Sequence, residues 1–312
     1  MGSLFVGHCK DQDLIDHFYS FMKDCNLDTD YCLGLGMDGP NVNTSFERKL
    51  RKDLQANHGA NLLDLWTCPL HITNNSFGEG GMNVLHKSDI NVETFFNDIY
   101  FFFKLSSARR EDYKEMESIT EVTSKFMLKY CSTRWLYIGK VAVRVLEQFE
   151  NLREYFLVSL PKTKGFNYQK GVGNTERYQR IKSVLENKLV PAALAFIVYI
   201  TNLYSPFVLL LQKEEPLIHI LLTQMKKLIY DLLVNFIDKS YLSKCMSKDG
   251  SEMTLESLRN IDLRTIDPKY KKAQVEVGSK AKTLLEVVNP LDRKRFMESI
   301  IDSFYSSCVT SS

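Results

Sequence analysis

The sequence predicts a small α/β unit followed by a long region that is mostly α-helical. Three short apolar runs have the length of strands: Ser3–Gly7, Tyr31–Met37 and Leu62–Trp66. Between them, apolar residues at helical spacing over Asp11–Asp24 predict one helix, and Asn43 or Thr44 caps a second. Strands that alternate with helices in this way favour a parallel sheet.

After residue 89, apolar residues recur at helical spacing through most of the chain. The predicted helices are Val92–Leu105, Arg109–Tyr130, Ile138–Phe156, Glu176–Tyr204, Leu217–Ile237 and parts of Lys280–Phe304. Lys, Gly, Asn and Thr in Pro161–Asn174 predict a loop. The most apolar stretch, Leu189–Leu211, includes Pro206, and we interpret it as a buried helix with a break. No membrane span is predicted.

Charge and cysteine content narrow the class of protein. The 312 residues contain 40 Lys and Arg against 38 Asp and Glu, so the formal net charge of +2 does not by itself indicate nucleic-acid binding. Seven cysteines at irregular spacings, with no C-x-x-C pair, indicate reduced thiols in an intracellular chain rather than a disulfide framework. The N-terminal residues lack the pattern of a signal peptide.

Three glycines, Gly34, Gly36 and Gly39, match the G-x-G-x-x-G spacing of dinucleotide-binding loops. Such a loop follows a strand and opens a helix whose N-terminus faces the pyrophosphate. Here the glycines fall inside the predicted strand, Asp38 would place a carboxylate beside the phosphates, and Pro40 follows at once. We therefore predict no nucleotide cofactor.

Asp38 lies where the predicted strand ends, before a Gly-Pro turn and a helix. Functional groups of α/β sheets collect beyond the carboxyl ends of strands, and a carboxylate there can bind Mg²⁺. Two-metal phosphoryl transfer requires several such carboxylates around ions about 4 Å apart. The alternative is an ordinary turn aspartate, which the Asp-Gly pair by itself favours.

Two further motifs each have two interpretations. Cys68 and His71 form C-x-x-H, which is half of a structural zinc site. We favour a buried Cys and a hydrogen-bonded His that fix the junction between strand and helix. Arg134 can contact phosphate and Trp135 can stack on a base, but a core Trp with a nearby ion pair explains the pair equally well.

Several strings, in their order and spacing, resemble the catalytic region of hAT-superfamily transposases. YCLGLGMDGPNVN resembles the strand with the second catalytic aspartate, and LLDLWTCPLHITNNSF resembles the next strand with its C-x-x-H. KYCSTRWLYIGKVAVRVLEQFENLREYF is similar to the segment whose Arg-Trp pair starts the helix before the helical insertion. LLQKEEPLIHILLTQMKKLIYDLLVNFID is similar to insertion helices of animal hAT-derived proteins.

The resemblance implies an RNase H-like fold interrupted by an all-helical insertion, with DNA cleavage and strand transfer on divalent metal as its chemistry. It divides the chain into three parts: an incomplete RNase H-like α/β unit (1–88), a helical segment with the Arg-Trp motif (89–160) and an all-helical insertion region (161–312). It assigns Asp38 to the second catalytic aspartate and Cys68 and His71 to the structural C-x-x-H. By the same resemblance, Trp135 corresponds to the tryptophan that acts at a DNA hairpin or flipped base, and Arg134 accompanies it.

The sequence departs from the family pattern at the catalytic residues. The first aspartate belongs to a strand that would precede Ser3, and no position matches the catalytic glutamate. One carboxylate of three cannot hold two metal ions, so we expect Asp38 to be a remnant and ancestral Mg²⁺ or Mn²⁺ binding to be lost, with no cofactor or metal bound.

These departures predict a catalytically inactive, transposase-derived protein in the nucleus, or otherwise the cytoplasm. Its expected partners are DNA, a second copy of the chain or another protein, and not a membrane. The alternatives are an active nuclease or transposase completed by unidentified residues or another chain, and a decayed element without function.

Overall fold

The computed structural model describes residues 10–32, 35, 37, 41–58, 68–82, 85, 90–132, 136–213, 215, 217–244, 261, 267, 275–301 and 304. The described part is 75% helical and contains no strand or sheet, so the predicted α/β, RNase H-like class is wrong for these residues. The chain forms two compact units, Met1–Thr73 and Asn74–Ser312. The division into three parts at residues 88 and 160 stays a prediction.

The predicted strand at Tyr31–Met37 shows why the short apolar runs are poor indicators. The carboxylate of Asp28 caps a 3-10 turn over Thr29–Tyr31, so the run begins in a helical turn. Further on, the carbonyl of Met37 accepts a backbone hydrogen bond from Cys68 at 2.8 Å, and one such bond does not make a ladder. The other two predicted strands lie outside the described residues: Ser3–Gly7 and Leu62–Trp66.

Two helices make up most of the described part of the first unit: α1, Asp11–Asp24, and α2, Asn41–His58. The bounds of α1 are those that helical spacing predicts, whereas α2 begins before its predicted caps. Their apolar faces form a small core: Ile15, Phe46, Leu50 and Leu54. A short helix, α3, covers Pro69–Asn75.

Polar contacts add to this small core. The carboxylate of Asp11, in the first turn of α1, pairs with the Lys49 ammonium at 2.8 Å and accepts a hydrogen bond from the Ser45 hydroxyl at 2.6 Å. Further along the same two helices, the hydroxyl of Tyr19 in α1 donates a hydrogen bond to the carboxylate of Asp53 in α2. The Lys49 ammonium, and after it the Ser45 hydroxyl, lowers the pKa of Asp11 from 3.8 to about 2.

The described part of the second unit is mostly helical. Its helices are α4, Val92–Lys104; α5, Ser107–Lys114; α6, Glu117–Thr120; α7, Tyr137–Glu147; α8, Phe149–Arg153; α9, Glu176–Glu186; α10, Val190–Leu211; α11, Ile218–Phe236; α12, Lys239–Lys244; α13, Ser279–Glu286; and α14, Pro290–Arg295. Among the described residues, π-helical turns cover Ser76–Met82, Glu154–Ser159 and Phe296–Ile301. The predictions for α4 and α11 are confirmed to within one residue at each end.

Aromatic side chains form the core where α4 packs against the turn that follows α8. The rings of Phe102, Phe103, Tyr155 and Phe156 lie with their centroids 4.8 to 6.2 Å apart, in tilted or edge-on pairs. All four side chains are buried. Each such pair contributes about 0.5–1.5 kcal/mol beyond the burial of its area, so this cluster fixes the position of the turn.

Helix α10 packs closely on α7 because one glycine leaves room for it. A Cβ atom on Gly139 would lie 2.3 Å from the hydroxyl oxygen of Thr201, so no side chain fits at this contact. The buried hydroxyl of Thr201 donates to the carbonyl of Ile197 at 2.8 Å and therefore needs no partner from α7. The helix continues through Pro206, so the predicted break is wrong.

Helix α10 also has the length and composition of a membrane span, the one such helix among the described residues. Its most apolar window has a mean hydropathy of 1.9, and 50% of that window is buried inside the protein. A core helix meets the same two criteria, and the contacts of α10 with α7 place it in the core of the second unit.

An irregular segment replaces the second half of the predicted helix Arg109–Tyr130. Helix α6 ends at Thr120, and Glu121 adopts a left-handed conformation with a φ of 59°. Residues 121–132, here called the amide-held segment, then continue without regular structure. The helix prediction is therefore wrong beyond Thr120.

Two buried side-chain amides supply the hydrogen bonds of the amide-held segment. Gln148 donates to the carbonyl of Thr123 and accepts from the N–H of Lys125, both at 2.9 Å. Asn151 donates to the carbonyl of Val122 at 2.9 Å. Both amides are at most 1% exposed. They satisfy backbone groups that a helix would have paired internally, so the segment can leave helical geometry without an energetic penalty for bare polar groups.

A buried carboxylate joins α4 to α9. Asp98 accepts two hydrogen bonds from the guanidinium of Arg180, at 2.7 and 2.9 Å, and a longer one from Arg177 at 3.4 Å. The bidentate contact is the stronger geometry. The hydrogen bond to Asp98 raises the pKa of Arg180.

We predict that Gly139→Ala lowers the free energy of unfolding by about 1–3 kcal/mol, because the added methyl group overpacks the contact with Thr201. Gly78→Ala is the matched control, since a Cβ atom there meets nothing within 4 Å. Urea titrations followed by circular dichroism measure both variants. Equal unfolding midpoints for the two variants would contradict the close α7–α10 contact.

We predict that the first unit loses stability between about pH 4 and pH 2 through Asp11. The pKa of this carboxyl is lower in the folded state, so its stabilisation is complete above the unfolded value of 3.8 and disappears as the pH falls through about 2. Hydrogen exchange of α1 and α2 in the full chain, compared with Asp11→Asn at each pH, measures it. Asp24→Asn, an exposed change in the same helix, should leave the wild-type profile unaltered.

Candidate functional site

The structure describes some of the residues that the sequence singles out. Cys68 and His71 are described, whereas Asp38, Arg134 and Trp135 lie outside the described residues, and the roles predicted for these three stay predictions. The chain on either side of the Arg-Trp pair is described, however. The flanking residues Ser132 and Leu136 therefore show which part of the second unit the chain enters and leaves on either side of the motif.

Cys68 lies at the start of α3, where it connects two parts of the first unit. Its N–H donates to the carbonyl of Met37 at 2.8 Å, and its own carbonyl accepts from the N–H of His71 at 3.0 Å. The backbone of the C-x-x-H motif therefore forms the first turn of the helix. Among the described residues, no group of three His, Cys, Asp or Glu side chains is arranged to hold a metal ion. A role for the motif in fixing this junction stays our prediction.

A cavity of about 150 Å³ in the second unit is lined by residues on both sides of the Arg-Trp motif. Ser132 and Leu136, which flank positions 133–135, both line it. The other side chains that matter for its chemistry are Asn74, Phe77, Glu93 and Tyr130. A cavity of about this volume holds one ring of the size of benzene.

Separate elements position the lining residues. Phe77 comes from the π-helical turn after α3, and Glu93 from the first turn of α4, whose N-cap Asn91 accepts a hydrogen bond from Thr94 at 3.0 Å. Tyr130 and Ser132 end the amide-held segment, so the amides of Gln148 and Asn151 indirectly determine where they lie. The ring-sized cavity thus depends on a contact made elsewhere in the core.

Leu136 begins α7 in an unfavourable backbone conformation. Its φ of 53° is left-handed, which is a costly geometry for a bulky residue other than glycine. Such strain persists only where the surrounding contacts impose it, and it is concentrated at functional sites. Here it occurs at a residue that lines the cavity and directly follows the Arg-Trp pair in the chain.

Tyr130 contributes an uncharged aromatic side chain to the lining. Its hydroxyl donates to the carboxylate of Glu93. Burial, and after it the neighbouring Glu93, raises the pKa of Tyr130, so the phenol stays protonated at neutral pH. The lining therefore combines the aromatic residues Phe77 and Tyr130 with the hydrogen-bonding residues Asn74 and Ser132.

Exposed lysines flank the cavity residues in the sequence. Lys129 precedes Tyr130, and Lys140 lies in the first turn of α7, and both side chains are exposed to solvent. Together with Arg134 they place three cationic residues within twelve positions of the chain. This concentration is local, since the whole chain carries a formal net charge of only +2.

Sequence reasoning identified the Arg-Trp motif but missed the cavity residues. Tyr130 and Ser132 occur inside the string quoted for the transposase resemblance, KYCSTRW, so that string contained part of the signal. Asn74, Phe77 and Glu93 come from distant elements, and no spacing in the sequence connects them to the motif.

Comparisons of the chain with protein-family models, curated proteins and solved structures find no match. The resemblance to hAT transposases accordingly stays a prediction that rests on the quoted strings.

We predict that Asn151→Ala lowers the free energy of unfolding by about 1–3 kcal/mol, because it leaves the partly buried carbonyl of Val122 without its donor. The amides of residues 121–132 should also exchange faster with solvent. Asn174→Ala provides the control, since Asn174 is exposed and its bond to the Tyr168 carbonyl lies at the surface. Unchanged exchange in the amide-held segment would show that Asn151 does not hold it.

Proposed function

We propose that this chain is a non-catalytic DNA-binding protein that captures one unpaired or flipped base in the ring-sized cavity. The observation that carries the proposal is the cavity of about 150 Å³ whose lining includes the residues on both sides of Arg134 and Trp135. Proteins that bind extruded bases hold them between aromatic or apolar side chains and read their edges by hydrogen bonds. The cavity offers both: aromatic residues that can hold a base, and polar groups that can form hydrogen bonds with its edge.

The remaining features fit roles in such binding. Trp135 would stack on the bases that remain in the helix, and Arg134 would contact a phosphate. The exposed Lys129 and Lys140 would add phosphate contacts that depend on salt concentration. The resemblance to hAT transposases supports DNA as the nucleic acid, and a nuclear location follows from the proposal.

Fluorescence anisotropy with three probes tests this proposal: an intact duplex, the same duplex with one unpaired base, and a hairpin. We expect the unpaired base and the hairpin to bind about tenfold more tightly than the duplex, since stacking of one base contributes about 1–3 kcal/mol. Gly78→Leu, which fills the cavity from a position with open space, should remove this preference without unfolding the protein.

Two further variants separate stacking from charge. Trp135→Ala should abolish the preference for the unpaired base, whereas Arg134→Ala should weaken all probes and reduce the salt slope by about one. Tyr168→Ala removes an exposed aromatic ring from a loop and should change nothing.

Equal affinity for all probes, or an unchanged preference in Gly78→Leu, would refute base capture. Cleavage of DNA with Mg²⁺ that is lost in Asp38→Ala would refute a non-catalytic role.

A further inference from the structure

A second cavity, of about 360 Å³, lies between α5–α6 and the turns that follow α8. Its volume is within the range of small-molecule sites, which is about 300–1,000 Å³. None of its lining residues belongs to the ring-sized cavity, so whatever it binds is independent of the proposed DNA binding.

The rim of this cavity is acidic. Asp112 and Glu115 line it, and both side chains are exposed. Within the described part of the chain, neither carboxylate forms an ion pair, whereas the neighbouring Glu111 pairs with Lys114 at 3.0 Å. Two negative charges at the mouth of a cavity favour a cationic ligand.

The hydroxyl groups in the lining use their hydrogens on the protein itself. Ser118 donates to the carbonyl of Glu115, and Thr163 donates to the carbonyl of Leu160, both at 2.7 Å. Ser159 donates to the sulfur of Met116 at 3.4 Å. Because each hydroxyl acts as the donor in its bond, its oxygen can still accept a hydrogen bond. The lining therefore offers acceptors and favours a ligand rich in donors.

One buried hydroxyl lacks any hydrogen-bond partner within the described structure. Tyr155 is 2% exposed and lines the cavity, and its hydroxyl oxygen contacts no donor or acceptor. Burial, and after it the nearby Asp112 carboxylate, raises the pKa of Tyr155 to about 12, so the hydroxyl stays protonated. Buried polar groups in native proteins are nearly always paired, so an unpaired one beside a cavity marks a position for a ligand atom.

We propose that this cavity binds a small aliphatic amine in its protonated form. An ammonium group has three donors and no acceptor, which matches the two carboxylates and the acceptor hydroxyls. The methylene chain would lie against Met116 and Leu160, and a second polar group would pair with the Tyr155 hydroxyl. A divalent cation fits less well, because the described residues contain no group of three carboxylate, imidazole or thiolate ligands.

Isothermal titration calorimetry of the full chain with three five-carbon probes tests the proposal: the diamine cadaverine, the neutral pentanediol and the dicarboxylate glutarate. We expect saturable binding of cadaverine and none of the other two. Asp112→Asn and Glu115→Gln should each weaken cadaverine binding about tenfold or more, since each removes one charge-assisted hydrogen bond. Tyr155→Phe should weaken it with no loss of folding stability, because the hydroxyl contributes no hydrogen bond to the fold.

Glu111→Gln is the matched control, because it removes the same charge from the same helix outside the cavity. It should leave the affinity for cadaverine within about twofold of wild type, since exposed charges at a distance are screened by salt. The proposal fails if cadaverine does not saturate, if pentanediol or glutarate binds equally well, or if Glu111→Gln weakens binding as much as the rim variants.

Discussion

The second unit depends on two buried amides that hold an irregular segment against the core. Gln148 and Asn151 replace the hydrogen bonds that residues 121–125 would have made in a helix. Their position at the junction of α7 and α8 is fixed in turn by the packing of α7 on α10, where Gly139 allows close approach. A single change in either contact would therefore move the chain that leads to the ring-sized cavity.

The amide-held segment connects elements that line the two cavities described above. It begins directly after α6, whose Ser118 and Ile119 line the larger cavity of about 360 Å³. It ends at Tyr130 and Ser132, which line the ring-sized cavity of about 150 Å³. The turn after α8 contributes Tyr155, which lines the larger cavity and also packs against Phe103 in the aromatic core. Close packing of aromatic rings, as around Tyr155, tolerates little change in side-chain volume.

The chemistry of the two cavities is different, which argues for separate ligands. The lining of the ring-sized cavity includes two aromatic residues and one carboxylate, which accepts a hydrogen bond from Tyr130, whereas that of the larger cavity includes two exposed carboxylates and three hydroxyl groups that can accept. The transposase resemblance bears on the ring-sized cavity alone, because Ser132 and Leu136, which flank the Arg-Trp pair in the sequence, line that cavity. The helical structure of the described residues departs from the RNase H-like fold that the resemblance implies, so our proposal of DNA binding rests on the site and not on the fold.

The sequence by itself determined the helices whose apolar spacing is regular, such as α1, α4 and α11, because a repeating apolar face is buried in almost any tertiary context. It could not determine the state of short apolar runs such as Tyr31–Met37, since a local cap at Asp28 is enough to start a helical turn there. Only the tertiary structure decided that the helix after Arg109 stops at Thr120, because the competing hydrogen bonds come from Gln148 and Asn151, more than twenty residues away. Both cavities are likewise products of tertiary packing, since their walls come from segments that no local pattern connects.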